Sequence, residues 1–353
     1  MTTPAAPDAA DASAPAATPI SLPPVDRAWQ AKLVEEILDP DLPIVDPHHH
    51  LWGPPRSKYL ADDLAADLSA GHNVQATVYV DCREAYLTEG PEMMRPLGEV
   101  RFARGVGEAA DKAGGPRMCA GIVGHADLTN GDAVAELLEA QIAEGGGRFR
   151  GIRQSAVWDP SGLRTSSRVM PKGLLLDPAF RTGFAHLGRL GLSYDSWAYF
   201  HQQTELADLA RAFPETTIIL DHVGGVLGVG PYEGRRDELF GQWKAGILEA
   251  ASCPNVNVKL GGLAMHTLGF GYEHRDTPPG SAELAEAWRP YVETCIEAFG
   301  PERAMFESNY PVDGVSCSYA VLWNALKRLA SGASAEEKAA LFSGTARRVY
   351  RLD

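Results

Sequence analysis

Eight short apolar runs recur along the chain, each separated from the next by a longer stretch of helical character. The runs lie at 43–48, 74–81, 118–124, 149–154, 192–197, 216–221, 256–260 and 303–308. Helix-period patterns fall between them at 60–71, 132–144, 178–190, 203–212, 236–251, 282–299 and 319–330. A parallel strand pair needs a crossover of a dozen or more residues, usually a helix, so this alternation predicts consecutive βα units. Eight such units predict an α/β fold of the closed (β/α)8 TIM barrel type, with an open doubly wound sheet as the alternative. No glycine-rich phosphate loop follows the first run, which counts against a nucleotide-binding sheet. A chain of 353 residues accommodates this as one domain over 26–353, with Trp29, Leu33, Val34 and Ile37 marking a short amphipathic lead-in over 26–38. Residues 1–25 are rich in Ala and Pro and read as a disordered arm.

Charge and cysteine usage narrow the partners. The formal net charge of -14 argues against nucleic acid or an anionic membrane, although a locally basic site can still take an anionic small molecule. The five cysteines (Cys82, Cys119, Cys253, Cys295, Cys317) are scattered and lack C-x-x-C spacing, as expected of reduced, mostly buried thiols in a cytoplasmic protein. No apolar run is long enough to span a bilayer, and residues 1–25 lack the basic and apolar regions of a secretory signal. The expected partners are a small-molecule substrate and further copies of the chain in a homo-oligomer.

The first run ends in Asp46-Pro47-His48-His49-His50-Leu51-Trp52. If the strand continues, period-2 alternation puts His48 and His50 on one face and His49 on the other. Two imidazoles so placed can reach one metal ion, with Asp46 as a supporting partner; a polar turn is the blander reading. The other runs also end in polar groups: Arg83 and Glu84, His125, Arg153 and Gln154, Asp195 and Trp197 with His201 beyond, His222, Lys259, and Ser308 and Asn309. Barrel enzymes place their chemistry at the C-terminal rim of the strands, so this recurrence points to an active site.

The same residues resemble a known family. The first-strand motif is similar to that of the amidohydrolase-related (amidohydrolase 2) branch of the amidohydrolase superfamily. Gly151-Ile152-Arg153, Leu220-Asp221-His222-Val223-Gly224, Val258-Lys259-Leu260 and Met305-Phe306-Glu307-Ser308-Asn309-Tyr310-Pro311-Val312 follow in family order, covering roughly 42–350. The resemblance implies a distorted barrel that hydrolyses lactones, or decarboxylates or hydrates aromatic-derived acids, with lactonases prominent and some of them metal-free. It implies metal-ligand roles for His48, His50 and His201, a substrate-facing role for His222, and basic site positions at Arg153 and Lys259. The chain departs from the family at the eighth strand, where Ser-Asp-Trp/Phe-Pro is usual and Ser308-Asn309-Tyr310-Pro311 stands instead. An amide is a weaker ligand than a carboxylate and is no general base at neutral pH, so any divalent Zn or Mn is expected to be weakly held, and metal-free operation is open. Asp313, four residues on, is a substitute that would have to reach back along the loop.

These residues lead to a catabolic lactonase-like hydrolase, opening a lactone or related cyclic ester of a small carboxylated compound by metal-assisted or His/Arg/Lys-assisted attack of water. The expected catalytic groups are His222, Asn309, Arg153 and Lys259, with Arg153 suited to bidentate capture of a substrate acid. Lys259 would otherwise be paired with a buried carboxylate such as Asp46. Trp52, Arg83, Glu84, Tyr86, Tyr199, His266 and Tyr310 are expected at the substrate, Trp197 being a further candidate for the wall. The long Gly/Pro-rich segment 263–281 reads as a structureless lid or substrate wall. A metal-dependent decarboxylase of an aromatic or dienoic acid is the alternative, and a non-catalytic binding barrel a third reading.

Overall fold

The computed structural model describes residues 24–164 and 169–352, so the arm expected over 1–25 lies almost wholly outside the described residues. Eight parallel strands pair in the order in which they occur in the chain: β1 (Ile44–His49), β2 (Val74–Val80), β3 (Arg117–Gly124), β4 (Phe149–Arg153), β5 (Ser193–Ser196), β6 (Ile218–Leu220), β7 (Val256–Leu260) and β8 (Ala304–Phe306). Every predicted run is a strand, and helices fill the connections as the spacing requires. β8 returns to β1 through a bridge between His49 and Tyr310, His50 N donating to Tyr310 O at 2.7 Å. Asp46 fastens the same seam. Its carboxylate accepts from Ser308 N (3.0 Å), Ser308 Oγ (2.6 Å) and Tyr319 OH (3.0 Å). Asp46 is therefore part of the barrel closure and not the partner of Lys259.

The barrel interior divides into two ends. Toward the N-terminal ends of the strands, Val45, Ala76, Val78, Ala120, Ile219 and Met305 pack against Ala346, Val349, Tyr350 and Leu352 of the C-terminal segment, which plugs the bottom. The larger core lies outside the strands, between sheet and helices, and includes Phe180, Phe184, Trp243, Trp288 and Trp323. Burial of this apolar surface supplies the main drive to fold. The polar ends of the strands are thereby left at the opposite, open end.

Three expectations change. The lead-in is helical only over Arg27–Gln30; the segment is held instead by polar contacts, Arg27 gripping Asp67 through two 2.7 Å bonds and Gln30 reaching Gly314 O and Cys317 O. A 17-residue helix, Leu97–Ala113, links β2 and β3, where its glycines weakened the helical pattern. The segment after β7 is built: it carries 3-10 turns at His266–Leu268 and Tyr272–His274, and it buries Leu263, Leu268 and Tyr272. No helix among the described residues is long and apolar enough to cross a membrane.

Candidate active site

The alternation read from the sequence holds at the end of β1. His49 turns outward to Thr77 Oγ1 (2.9 Å), while His48 and His50 point inward with their Nε2 atoms 3.2 Å apart. His50 Nδ1 donates to Val80 O at 2.8 Å, so its Nε2 carries the lone pair. His48 is enclosed by charge. Its Nδ1 lies 2.9 Å from Glu307 Oε2 and 3.0 Å from Lys259 Nζ, and its Nε2 lies 3.3 Å from Arg153 Nη1. One nitrogen cannot donate to the carboxylate and accept from the ammonium together, so two neutral tautomers each satisfy part of this cage. Burial, followed by the repulsion of Lys259, holds the ring's pKa well below the usual imidazole range.

Glu307 joins the two halves of the site. Its Oε1 accepts from His222 Nδ1 at 2.7 Å while Oε2 faces His48. Burial alone would raise its pKa, but the two imidazoles outweigh that and bring it down to about 2. His222 shows the converse balance: burial depresses its pKa, yet Glu307 raises it above the ordinary value. The ring is aimed by an unusual backbone. His222, Val223, Gly224 and Gly225 all have left-handed φ values of 54°, 46°, 76° and 71°. Such a conformation costs about 1–2 kcal/mol at each non-glycine residue, so packing must hold it in place. Gly262 makes room for it: a Cβ there would lie 2.5 Å from His222 Cβ. Trp197 fixes the imidazole edge-to-face, centroids 4.9 Å apart.

The basic residues prove to be different in kind. Lys259 is fully buried and lies beneath the cavity, bonded to Asp195 Oδ2 (2.7 Å) and close to Asp221 Oδ1 (3.1 Å), with Tyr350 OH also on Asp195 at 2.6 Å. It does not line the cavity and can act only through His48. Arg153 does line it. Its Nε donates to Asp81 Oδ1 (2.9 Å) and its Nη2 to Asp81 O, which leaves Nη1 directed at His48 and, 3.9 Å away, at Asp221 Oδ2.

Above this floor opens a cavity of about 240 Å³. Of the residues expected there, His50, Trp52, Arg83, His125, Arg153, Gln154, His222 and Asn309 are on its surface, with Trp197. Asn309 (φ 51°) gives its Nδ2 to Asp313 Oδ1 at 2.8 Å, and its buried Oδ1 has no partner among the described residues. The structure brings Asp313 directly behind Asn309, held by the 3-10 turn it begins and by Ala264 N; burial pushes its pKa up to about 7.

Other expected residues are elsewhere. His201 caps a separate contact, Nε2 2.9 Å from Trp158 O, and the extra residues between β5 and this histidine carry it away from the His48 pair. Tyr310 and Tyr199 are fully buried in the core, Tyr310 OH donating to Cys317 O. Tyr86 lies under the Arg83 guanidinium and Glu84 near Arg56, both outside the lining. His266 bonds Glu273 while its neighbours Met265 and Thr267 form the wall.

Sequence reasoning passed over Glu307 as a functional group, and with it Asp81, Arg56 and the wall residues Met265 and Thr267. The available signal for Glu307 was an acid closing an otherwise apolar strand, which needs a buried partner.

An amidohydrolase family model matches residues 45–352. Over 335 residues the chain is 35% identical to an uncharacterised protein of Sinorhizobium fredii, covering 88% of this chain and 99% of that one. It is 28% identical over 326 residues to L-fucono-1,5-lactonase of Burkholderia multivorans, covering 87% of this chain and 96% of the relative. The crystal structure of an amidohydrolase from Burkholderia multivorans with bound zinc superposes at a TM-score of 0.67 with 24% identity, covering 88% and 99% of the two chains, a likeness of fold.

Proposed function

The chain belongs to the amidohydrolase family, and from that premise we propose that it opens a lactone or related cyclic ester of a small carboxylated molecule. One observation carries the reading: the 2.7 Å bond between Glu307 and His222 Nδ1, which leaves the ring's other nitrogen for the cavity that His222 lines. A carboxylate on one edge of an imidazole fixes its tautomer and stabilises the imidazolium that forms when the other edge takes a proton. His222 Nε2 removes a proton from water as the water oxygen bonds to the lactone carbonyl carbon. Arg153 Nη1 faces the developing oxyanion. The ring C–O bond then breaks, His222 returns the proton to the departing alkoxide, and a hydroxy acid leaves. Arg56 and Arg83 at the cavity supply the positive potential that draws in a substrate carboxylate. The lactonase relative supports the reaction class.

Amidohydrolases typically use a divalent metal, and a zinc-bound neighbour exists. The 3.2 Å between His48 and His50 Nε2 suits two ligands of one ion, since tetrahedral Zn–N bonds of about 2.0–2.1 Å place donors roughly 3.3 Å apart. Further donors are at hand, since His48, Asp221 and His222 offer ligand atoms within 4.8 Å of one another, but these groups are already engaged within the protein. His48 Nε2 is already engaged by His50 or Arg153, while Lys259 and Arg153 take Asp195, Asp221 and Asp81. The eighth strand contributes an amide, Asn309, where the family has a carboxylate. Protein cations thus occupy the carboxylates that would hold a metal, and no step above depends on one.

The test is a panel of carboxylated and neutral lactones scored by acid release, run beside aromatic acids scored for carbon dioxide. Acid release that falls sharply in His222→Gln is the expected result. Carbon dioxide release without lactone opening would replace this reading with the decarboxylase.

A further inference from the structure

A second group of metal-type donors lies outside the catalytic cavity, on the segment after β7. His266, Glu273 and His274 each offer a ligand atom, and these atoms all lie within 4.8 Å of one another. Glu273 Oε1 is the hub: it accepts a hydrogen bond from His266 Nδ1, and His274 Nε2 is 3.8 Å from the same oxygen. The carboxylate is mostly withdrawn from water, its side chain 8% exposed, whereas the His274 side chain is 73% exposed. A nearly buried anionic oxygen flanked by two imidazoles, with one side open to solvent, is a donor set suited to a borderline divalent cation such as Zn²⁺. The adjacent cation does not compete: Arg275 is turned to Glu283 (2.6 Å) and stacked on Tyr272.

We propose that His266, Glu273 and His274 form a divalent-cation site of the zinc class that ties the 3-10 turn at His266–Leu268, whose Thr267 lines the substrate cavity, to the following turn at Tyr272–His274. Donors around a tetrahedral zinc stand roughly 3.3 Å apart. The exposed His274, now 3.8 Å from Glu273 Oε1, closes in toward that spacing, and the short His266–Glu273 contact opens to it. On binding, the His266 ring proton moves from Nδ1 to Nε2, and the ion takes the place of the hydrogen bond to Glu273. Because Met265 and Thr267 of the same segment line the cavity, ion binding stiffens one wall of the site. The site is separate from the His48 floor and does not rest on the reaction assigned above.

The experiment titrates chelator-treated full-length protein with zinc alone by calorimetry, alongside His274→Ala and Glu273→Gln. The wild type is expected to take up an equivalent of zinc that His274→Ala weakens at least tenfold and Glu273→Gln abolishes. Zinc should also slow tryptic cleavage after Arg275 severalfold in the wild type and not in His274→Ala. Any uptake at the His48 pair is identical in all three proteins and is subtracted. His274 is exposed, so its variant carries the test even if Glu273→Gln fails to fold. The proposal is overturned by no uptake, by uptake equal in the wild type and His274→Ala, or by binding only at millimolar zinc, which would mark an adventitious ion only.

Discussion

The floor and the wall of the cavity are built on opposite principles. On the floor, His48, Lys259, Asp195, Asp221 and Glu307 are wholly buried, and His48 alone faces His50, Arg153, Lys259, Glu307 and Asp221. On the wall, Thr267 Oγ1 and Asn309 Oδ1 are buried without a hydrogen-bond partner among the described residues. A buried polar atom left unpaired costs about 1–3 kcal/mol. The floor sets charge against charge, Asp195, Asp221 and Glu307 meeting Lys259, Arg153 and the two imidazoles in ion pairs even where a carboxylate oxygen accepts no hydrogen bond; the wall keeps neutral polar atoms in reserve for something that enters. Catalytic electrostatics should therefore fail when the floor is altered, and substrate preference should drift when the wall is.

The sharpest break of that contrast is Glu307→Gln, which keeps the shape and removes the charge shared by both imidazoles. Turnover should fall by about a thousandfold or more, the order seen when a carboxylate orienting a catalytic histidine becomes an amide. The pH profile gives the sign. His222 must be neutral to act as a base, and its pKa is raised by Glu307, so wild-type kcat/KM should decline as pH falls through a value above that of an ordinary imidazole. Without the carboxylate the depressing effect of burial is opposed only by the smaller pull of Asp221 and Asp313, and the acid limb should move to lower pH. An unchanged limb would detach Glu307 from the chemistry.

Arg153→Met comes next, removing the one guanidinium among the described residues that belongs to floor and cavity alike. A loss on the order of 2–4 kcal/mol in kcat/KM is expected for a charge-assisted contact to the reacting oxygen. If Arg153 instead binds the substrate acid, the loss should shrink for neutral lactones. Normal kinetics on every lactone would leave the residue as a partner of Asp81 only.

How much of this was legible follows the same division. The strands were, because each run is a local pattern, and so was the inward pair His48 and His50, because alternation is a local rule. The partners were not: Glu307 meets His222 across 85 residues and Lys259 meets His48 across 211. Such pairings are decided by barrel closure, which no short window contains. Lys259 read correctly as needing a buried carboxylate, and the barrel supplied Asp195 and Asp221 where Asp46 was expected. His201 failed for a related reason: a histidine beyond the strand end has no fixed direction until the loop is placed. The wall was least legible, since irregular backbone carries no period.

A third change tests whether the floor's cations stand where an ion would. Asn309→Asp restores a carboxylate with almost no change of shape. The variant should retain more zinc than the wild type after chelation, measured by elemental analysis in a His274→Ala background so that the outer site does not contribute. Its lactone turnover should stay the same or fall, because the new charge repels an anionic substrate. Equal metal content in the two proteins would mean that Arg153 and Lys259, and not the missing carboxylate, set the occupancy.

The smallest effect belongs to the wall itself. Thr267 is 1% exposed, lines the cavity and leaves its hydroxyl without a partner among the described residues. Thr267→Val keeps the volume and removes only the polar atom. If the hydroxyl serves the bound substrate, KM should rise severalfold, about 1 kcal/mol for one neutral hydrogen bond, with kcat nearly unchanged. Stability should hold or improve, since an unpaired buried oxygen is replaced by a methyl group. A fall in kcat with KM unaltered would move Thr267 from the binding wall into the reacting centre, and a loss of thermal stability would show that the hydroxyl has a partner within the fold. The contrast with Glu307→Gln is then a split in kinetic parameters: the floor substitution acts on kcat and its pH limb, the wall substitution on KM alone.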